Sequence, residues 1–346
     1  MILFLISLTY LILLNLIFKN FPYIQHNNNQ YHKKLNKNRL VQIGGFFLLP
    51  LICIVLYYEK DYINFKYNDL IIILSLFFIV GLISDLKKNF NPLLRLILHA
   101  ILITYFSISN NFLIEQTNLK FLDFFMSEYN FFNYFFTIFC ILVFINGLNF
   151  VDGINLNSQG YIFQVLVTLL IILYKGPFHD GNYISIINNL IIVIFILLIF
   201  NFFFNNILGD NGVFVLGTLI TIIIIDFTNN FKFVSPLIAL TLLWYPAFEN
   251  LFSIVRKYIN KSNPLEPDTE HLHTLVLKKI IQIKVKSKNK TQQNFAGLIM
   301  NFFHMPSMIV AFSFYNNSEI LGLFTLFNLF LYIVIYYWLL KSIKSK

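Results

Sequence analysis

The sequence predicts an all-α, polytopic membrane protein of about eleven transmembrane helices, with a polar cleft at one membrane face. Three observations carry this. Apolar residues are 58% of the 346 and charged residues 12%, whereas soluble domains run at about 45–50% and 25%. The apolar residues gather in long runs, giving a mean hydropathy of +0.71. The Lys and Arg residues lie mostly in alternate gaps between those runs.

A crossing helix needs about 20 apolar residues, within a range of about 17–25. That template places spans at 2–19, 43–58, 69–84, 92–108, 131–148, 161–174, 185–206, 212–228, 235–255, 294–313 and 319–341. The first run starts at Met1 with neither a basic leader nor a small-residue cleavage site, which reads as an uncleaved span. Cys53 and Cys140 fall inside apolar runs and read as packing or lipid-facing residues, not as a disulfide. The 42 Phe fit an AT-biased genome, so no single Phe carries weight. With no internal repeat and no long linker, residues 1–346 read as one membrane domain.

Orientation follows from the bias of basic residues toward the cytoplasm. With the N-terminus outside, only Lys60, Lys66, Lys120, Lys175 and Lys232 of the 25 Lys and Arg lie outside. The acids Glu59, Asp61, Asp69, Glu115, Asp123, Glu128, Asp180, Asp226 and Glu319 then read as solvated outer loop ends. On the inner face are Asp85, Asp152, Asp210, Glu249, Glu266, Asp268 and Glu270. Of these, Asp85, Asp152 and Asp210 each begin or end a span. Five segments thus present polar groups to one region: 32–45, 85–95, 146–160, 209–212 and 256–273.

The stretch N-G-L-N-F-V-D-G-I-N at 146–155 follows an apolar run directly. An ionised Asp at bilayer depth costs roughly 2.5–3.5 kcal/mol, so Asp152 is read as functional. In G-L-I-S-D-L-K-K-N-F-N-P-L-L-R at 81–95, Asp85 ends a span and Arg95 lies one turn into the next. Snorkelling bases at a helix end are the plain alternative. In I-L-G-D-N-G-V-F-V-L-G at 207–217, Asp210 precedes a helix start, a place suited to phosphate and, beside a carboxylate, to Mg²⁺. An ordinary N-cap is the plain alternative there. The last inner loop carries Arg256, then S-N-P-L-E-P-D-T-E-H-L-H at 262–273. His271 and His273 lack the further ligands of a zinc site and read as anion contacts beside Arg256. The Lys278–Lys290 run reads as a basic patch facing anionic lipid.

Three carboxylates with basic residues, and no catalytic Cys, Ser-His-Asp or P-loop pattern, point to phosphate chemistry with a divalent metal. A site at the membrane edge can take one lipid substrate and one soluble, charged donor. A transporter or flippase is the alternative class. It predicts polar groups at the midplane and internal repeats, whereas the acids here sit at one face.

In combination, these segments resemble the polyprenyl-phosphate N-acetylhexosamine-1-phosphate transferases of glycosyltransferase family 4. That family also contains the peptidoglycan enzyme acting on UDP-MurNAc-pentapeptide. The matching segments are G-L-I-S-D-L with Arg95, N-G-L-N-F-V-D-G-I-N, L-G-D-N-G-V-F-V-L-G, Y-P-A-F-E-N-L-F-S-I-V-R-K and P-D-T-E-H-L-H, in the family's order over about 32–275. The resemblance implies transfer of a sugar 1-phosphate from a UDP-sugar donor to undecaprenyl phosphate, releasing UMP and starting a lipid-linked surface glycan such as O-antigen. It implies a multi-pass protein of the bacterial inner membrane, with a cytoplasmic site, membrane-lipid contacts and no nucleic-acid partner. It leaves room for a homodimer.

Carried over residue by residue, Asp210 would ligate Mg²⁺, or Mn²⁺ in its place. Asp85 would sit at the lipid phosphate as metal partner or proton acceptor, with Arg95 binding phosphate. Asp152, Gly153 and Asn155 would line the donor pocket, supported by Asn149. Arg256, His271 and His273 would hold the donor's phosphates. Some positions depart from the family pattern. Ser84-Asp85 stands where two adjacent Asp are usual, a departure that also motivates a non-catalytic homologue as a further alternative. Asn155 replaces an Asp, Gln42-Ile43-Gly44-Gly45 replaces P-R-x-G-G, and Ile207-Leu208 replaces an aromatic segment.

Overall fold

A computed structural model describes residues 2–19, 43–59, 66–87, 90–177, 181–204, 208–263, 268–283 and 289–345. Expectations resting on 32–42, Lys60, Asp61, Lys88, Asp180, Ile207, Glu266 and the Lys residues at 284, 286 and 288 fall outside these. The described residues form helices α1 (Ile2–Lys19), α2 (Gly44–Tyr58), α3 (Tyr67–Leu86), α4 (Pro92–Asn110), α5 (Lys120–Glu128), α6 (Asn130–Val151) and α7 (Asn157–Lys175). Then follow α8 (Gly181–Phe204), α9 (Gly209–Asn230), α10 (Leu237–Ile259), α11 (Leu272–Gln282), α12 (Asn289–Ser313) and α13 (Ser318–Lys344).

Nine of these helices are long and apolar enough to cross a membrane, and α1 and α2 are shorter apolar helices. Together they match the eleven runs read from hydropathy. Two further helices, α5 and α11, escape that reading because each is short and amphipathic. Several spans also extend past their apolar runs. Helix α7, for example, opens with buried Asn157, Ser158 and Gln159, which hydropathy alone cannot assign to a span.

Helix α9 is the axis of the bundle, with 94% of its spanning window buried. Its neighbours are chiefly α2, α3 and α6. The approach is close because glycines face it. A Cβ on Gly81 of α3 would stand 2.5 Å from Asn211 Cα, and one on Gly44 would stand 2.4 Å from Leu208 O. These contacts bring the α3 end and the α9 start together.

Prolines inside a helix leave a carbonyl without its usual donor, and for Pro50 and Pro246, two of the three in the described helices, that carbonyl finds a tyrosine. Pro50 spares Phe46 O, which accepts the Tyr10 hydroxyl at 2.9 Å. Pro246 spares Leu242 O, which accepts the Tyr161 hydroxyl. In lipid such satisfaction must come from the protein itself. Both cysteines are free thiols. Among the described residues, the outer acid Asp226 departs from expectation: it is buried in the last turns of α9 instead of solvated, because α9 has almost no exposed face.

Candidate active site

The end of the bundle that holds the α3 C-terminus and the α9 N-terminus gathers the predicted residues. Gly209 has φ 70°, a left-handed conformation that costs a glycine little. It turns the chain so that α9 begins against α3. Asp85 then caps α9: its Oδ1 accepts the Asp210 N–H and its Oδ2 the Asn211 N–H, each at 3.0 Å. The Asn211 side-chain amide also donates to Asp85 Oδ2, while Asn211 Oδ1 accepts the Gly45 N–H at 2.6 Å. One carboxylate from α3 thereby ties α2, α3 and α9 together and satisfies two of the free N–H groups at a helix start.

Asp210 collects side chains from three other helices. Its Oδ2 accepts the Ser84 hydroxyl at 2.5 Å and Arg95 at 2.9 Å, and its Oδ1 accepts the Asn149 amide at 2.7 Å. Arg95 also donates to Ser84 Oγ at 3.2 Å and lies over the Phe214 ring. Asp210 keeps 25% of its side chain exposed and Arg95 18%, so the pair sits at the mouth and not in the core.

Asp152 closes α6 and accepts the Ser158 hydroxyl. Burial pushes its carboxyl well above the ordinary range; the charges of Asp210 and Asp85 add to that and Ser158 offsets part of it. The loop after it is clamped by asparagines. Asn201 accepts the Leu156 N–H at 2.8 Å, Asn301 donates to Leu156 O at 2.9 Å, and Asn157 donates to Val151 O at 2.9 Å. Asn155 belongs to this clamp. Its amide donates to Asn294 Oδ1 at 2.8 Å with the residue 2% exposed, so its side chain fastens the loop to α12 instead of lining an open pocket.

The last motif lies against the α6 end and the turn that follows it, at 146–155. Phe150 stacks on His271 with ring centroids 5.1 Å apart, and His271 stacks on His273 at 5.6 Å with planes 6° apart. A Cβ on Gly153 would stand 2.2 Å from His273 Nε2. Only glycine leaves room for this histidine. Arg256 is engaged within the chain: it pairs with Asp268 and, at 2.7 Å, with Glu270. Its guanidinium therefore anchors the 268–273 segment, whereas the expected role was direct contact with donor phosphate. Asp268 also accepts Ser253 Oγ at 2.8 Å. Burial raises its carboxyl, but His271, the Glu270 N–H, Arg256 and Ser253 outweigh that and bring it down to about 2.

Asp85, Asp152, Asp210, Arg95, Asn149 and Ser84 thus meet at one end, with Gly153, His271 and His273 packed beside the same loop. Among the described residues no group of three or more His, Cys, Asp or Glu is placed to hold a metal ion. Reading by residue type missed Glu249, Phe150, Ser158 and Asp268. Their roles come from pairings distant in sequence, and only the two acids were visible as inner-face charges.

A family model described as glycosyl transferase family 4 matches residues 69–228. The match, over somewhat less than half of the chain, supports a place in the glycosyltransferase family 4 polyprenyl-phosphate sugar-1-phosphate transferases. No curated protein matches the chain. In general terms the match supports a polyprenyl-phosphate sugar-1-phosphate transferase and implies a polyprenyl-phosphate acceptor and a nucleotide-sugar donor, and the many apolar helices agree with a multi-pass membrane setting. The matched region contains Asp85, Arg95, Asn149, Asp152, Ser84 and Asp210. Arg256, His271 and His273 lie beyond it.

Proposed function

We propose that this protein transfers an N-acetylhexosamine 1-phosphate from its UDP derivative to undecaprenyl phosphate, releasing UMP, at the cytoplasmic face of a bacterial inner membrane. The observation that carries the reading is the convergence of Ser84, Arg95 and Asn149 on Asp210 at the mouth of the bundle. Three helices aim donors at one partly exposed carboxylate.

The bond changes are simple. An oxygen of the lipid phosphate attacks the sugar-bearing phosphorus, and the bond from that phosphorus to the UMP phosphate oxygen breaks. Catalysis then rests on positioning and electrostatics. Asp85 fixes the backbone that carries Asp210, and Arg95 supplies positive charge where phosphates approach. Asn149 holds Asp210 Oδ1, and His271 and His273 face the donor's diphosphate.

The site suits Mg²⁺. Hard oxygen donors are present in Asp210 and Asp152, and the charge of Asp210 already disfavours ionised Asp152, a repulsion that a divalent cation would relieve. Mg²⁺ commonly takes one or two carboxylates and completes its shell with water and substrate phosphate, so a ready three-ligand cage is not required. When bound, the ion would neutralise diphosphate charge. Asp85 is 5% exposed and its oxygens hold backbone N–H groups of α9, which favours a positioning role for it. Asp210 keeps 25% of its side chain exposed at the mouth and would take the metal, with Asp152 beside it.

The test is UMP release by the purified protein in vesicles containing undecaprenyl phosphate, with a panel of UDP-N-acetylhexosamines and with Mg²⁺ or EDTA. Metal-dependent UMP release is expected, and Asp210→Asn should abolish it. No release with any donor would sink the reading.

A further inference from the structure

The buried carboxylate of Glu249 stands apart from the cluster around Asp210. It lies on α10 with 1% of its side chain exposed, where an unpaired charge would be costly. Three donors reach it: His271 Nδ1 at 2.9 Å, the Tyr332 hydroxyl at 2.9 Å and, more distantly, the Leu272 N–H at 3.4 Å. A carboxylate can only accept, so His271 Nδ1 carries the proton. The ring's Nε2 is then the atom turned away from Glu249; it lies 3.9 Å from Asp268 Oδ2, outside hydrogen-bond reach.

The pairing is part of a wider grip. Glu249, Ser253 and Arg256 stand at intervals of four and three residues on one face of α10, and each holds a residue of the 268–271 segment. Behind them, α13 presents Tyr332 to Glu249 and Tyr336 under the Arg256 guanidinium at 5.7 Å. Phe252 packs between the two tyrosines, at 5.3 and 4.8 Å. Helix α13 carries none of the recognised motifs.

We propose that Glu249, supported by Tyr332, is a positioning residue: it holds His271 by its Nδ1–H and supplies the counter-charge that lets Nε2 carry a proton as well, so that the ring presents an Nε2–H donor to the diphosphate of the nucleotide-sugar donor. This rests on the reading of His271 as a donor-phosphate contact. The ring is held on three sides, by Glu249 at Nδ1, by Phe150 on one face and by His273. Little freedom remains except at Nε2.

The test is a double-mutant cycle read in UDP affinity, by titration calorimetry on the purified full chain with Mg²⁺. Glu249→Gln keeps the shape but removes the counter-charge that favours a proton on both ring nitrogens, and its amide can also donate, so the ring is no longer held as an Nε2–H donor. It should weaken UDP binding by roughly tenfold, the scale of a hydrogen bond to a charged group. Tyr332→Phe should weaken it by roughly threefold, and carries the test if Glu249→Gln does not fold. In a His271→Ala background both effects should shrink to within about twofold. The proposal is overturned if the foldable variant leaves UDP affinity unchanged, or weakens it equally with and without His271. It also falls if wild type binds no UDP. UMP release by wild type is scored separately: its absence alone removes the transferase reading, and the coupling in UDP affinity still judges Glu249.

Discussion

Asp85 on α3 holds the backbone N–H of Asp210 on α9 at 3.0 Å, so the carboxylate at the mouth of the site is carried by a helix end that another carboxylate secures. Removing the cap should loosen both. Asp85→Ala is expected to lower stability by about 1–2 kcal/mol, the usual cost of a lost N-cap, and Asp85→Asn by less, since its amide oxygen still accepts. Thermal unfolding in detergent reads the difference, and equal melting of Asp85→Ala and wild type would contradict the capping role.

Ser84 gives separate predictions for two substitutions. Ser84→Ala removes a donor to Asp210 Oδ2 and should lower turnover severalfold, in line with about 1 kcal/mol for one hydrogen bond. Ser84→Asp sets a second carboxylate beside Asp210, and like charges disfavour each other. Without divalent metal it should melt below wild type, and Mg²⁺ should raise its melting temperature by more than it raises that of wild type. Equal Mg²⁺ shifts in both proteins would count against a metal beside Asp210.

The glycine approaches predict sharp steric effects. A Cβ on Gly147 would stand 2.0 Å from Pro246 O, joining α6 to α10. Gly147→Ala should therefore destabilise by at least the roughly 1–3 kcal/mol of an overpacked core. Gly181 meets nothing within 4 Å, and Gly181→Ala should melt within about 0.5 kcal/mol of wild type. Melting of the two variants side by side in detergent checks this; loss of stability in the Gly181 variant alone would contradict it.

Asp268 predicts an acid-side dependence. Its carboxyl is held at about 2 against an ordinary 3.8, a depressed value. Its contribution is then fully present above the unfolded value and is lost as pH falls toward 2. The size is on the order of 2 kcal/mol. Wild type should lose stability between pH 5 and about pH 3 more steeply than Asp268→Asn, and parallel melting curves would contradict the assignment.

What was legible in the sequence follows from how lipid constrains a chain. A span must be long and apolar, so all eleven runs could be read, whereas α5 and α11 obey no such demand. The acids Asp85, Asp152 and Asp210 stood out because charge beside an apolar run is rare. Their partners did not. Ser84 read as a missing carboxylate, and only the fold shows its hydroxyl on Asp210. Asn155 read as a pocket residue because nothing in its neighbourhood announces Asn294, 139 residues away. Arg256 read as a donor-phosphate contact for the same reason, since the extended spacing of Asp268 and Glu270 does not reveal that both turn back to it.

The near-complete burial of α9 has a consequence for how the protein is made. Its principal neighbours α2, α3 and α6 all precede it in the chain, and domains generally form from the N-terminus during synthesis. When α9 leaves the ribosome, the walls that enclose it are already in the bilayer, and so is the Asp85 carboxylate that secures its first turn. Arrival of α9 both fills the slot and brings Asp210 to Ser84, Arg95 and Asn149, so insertion of a single segment completes the cluster at the mouth.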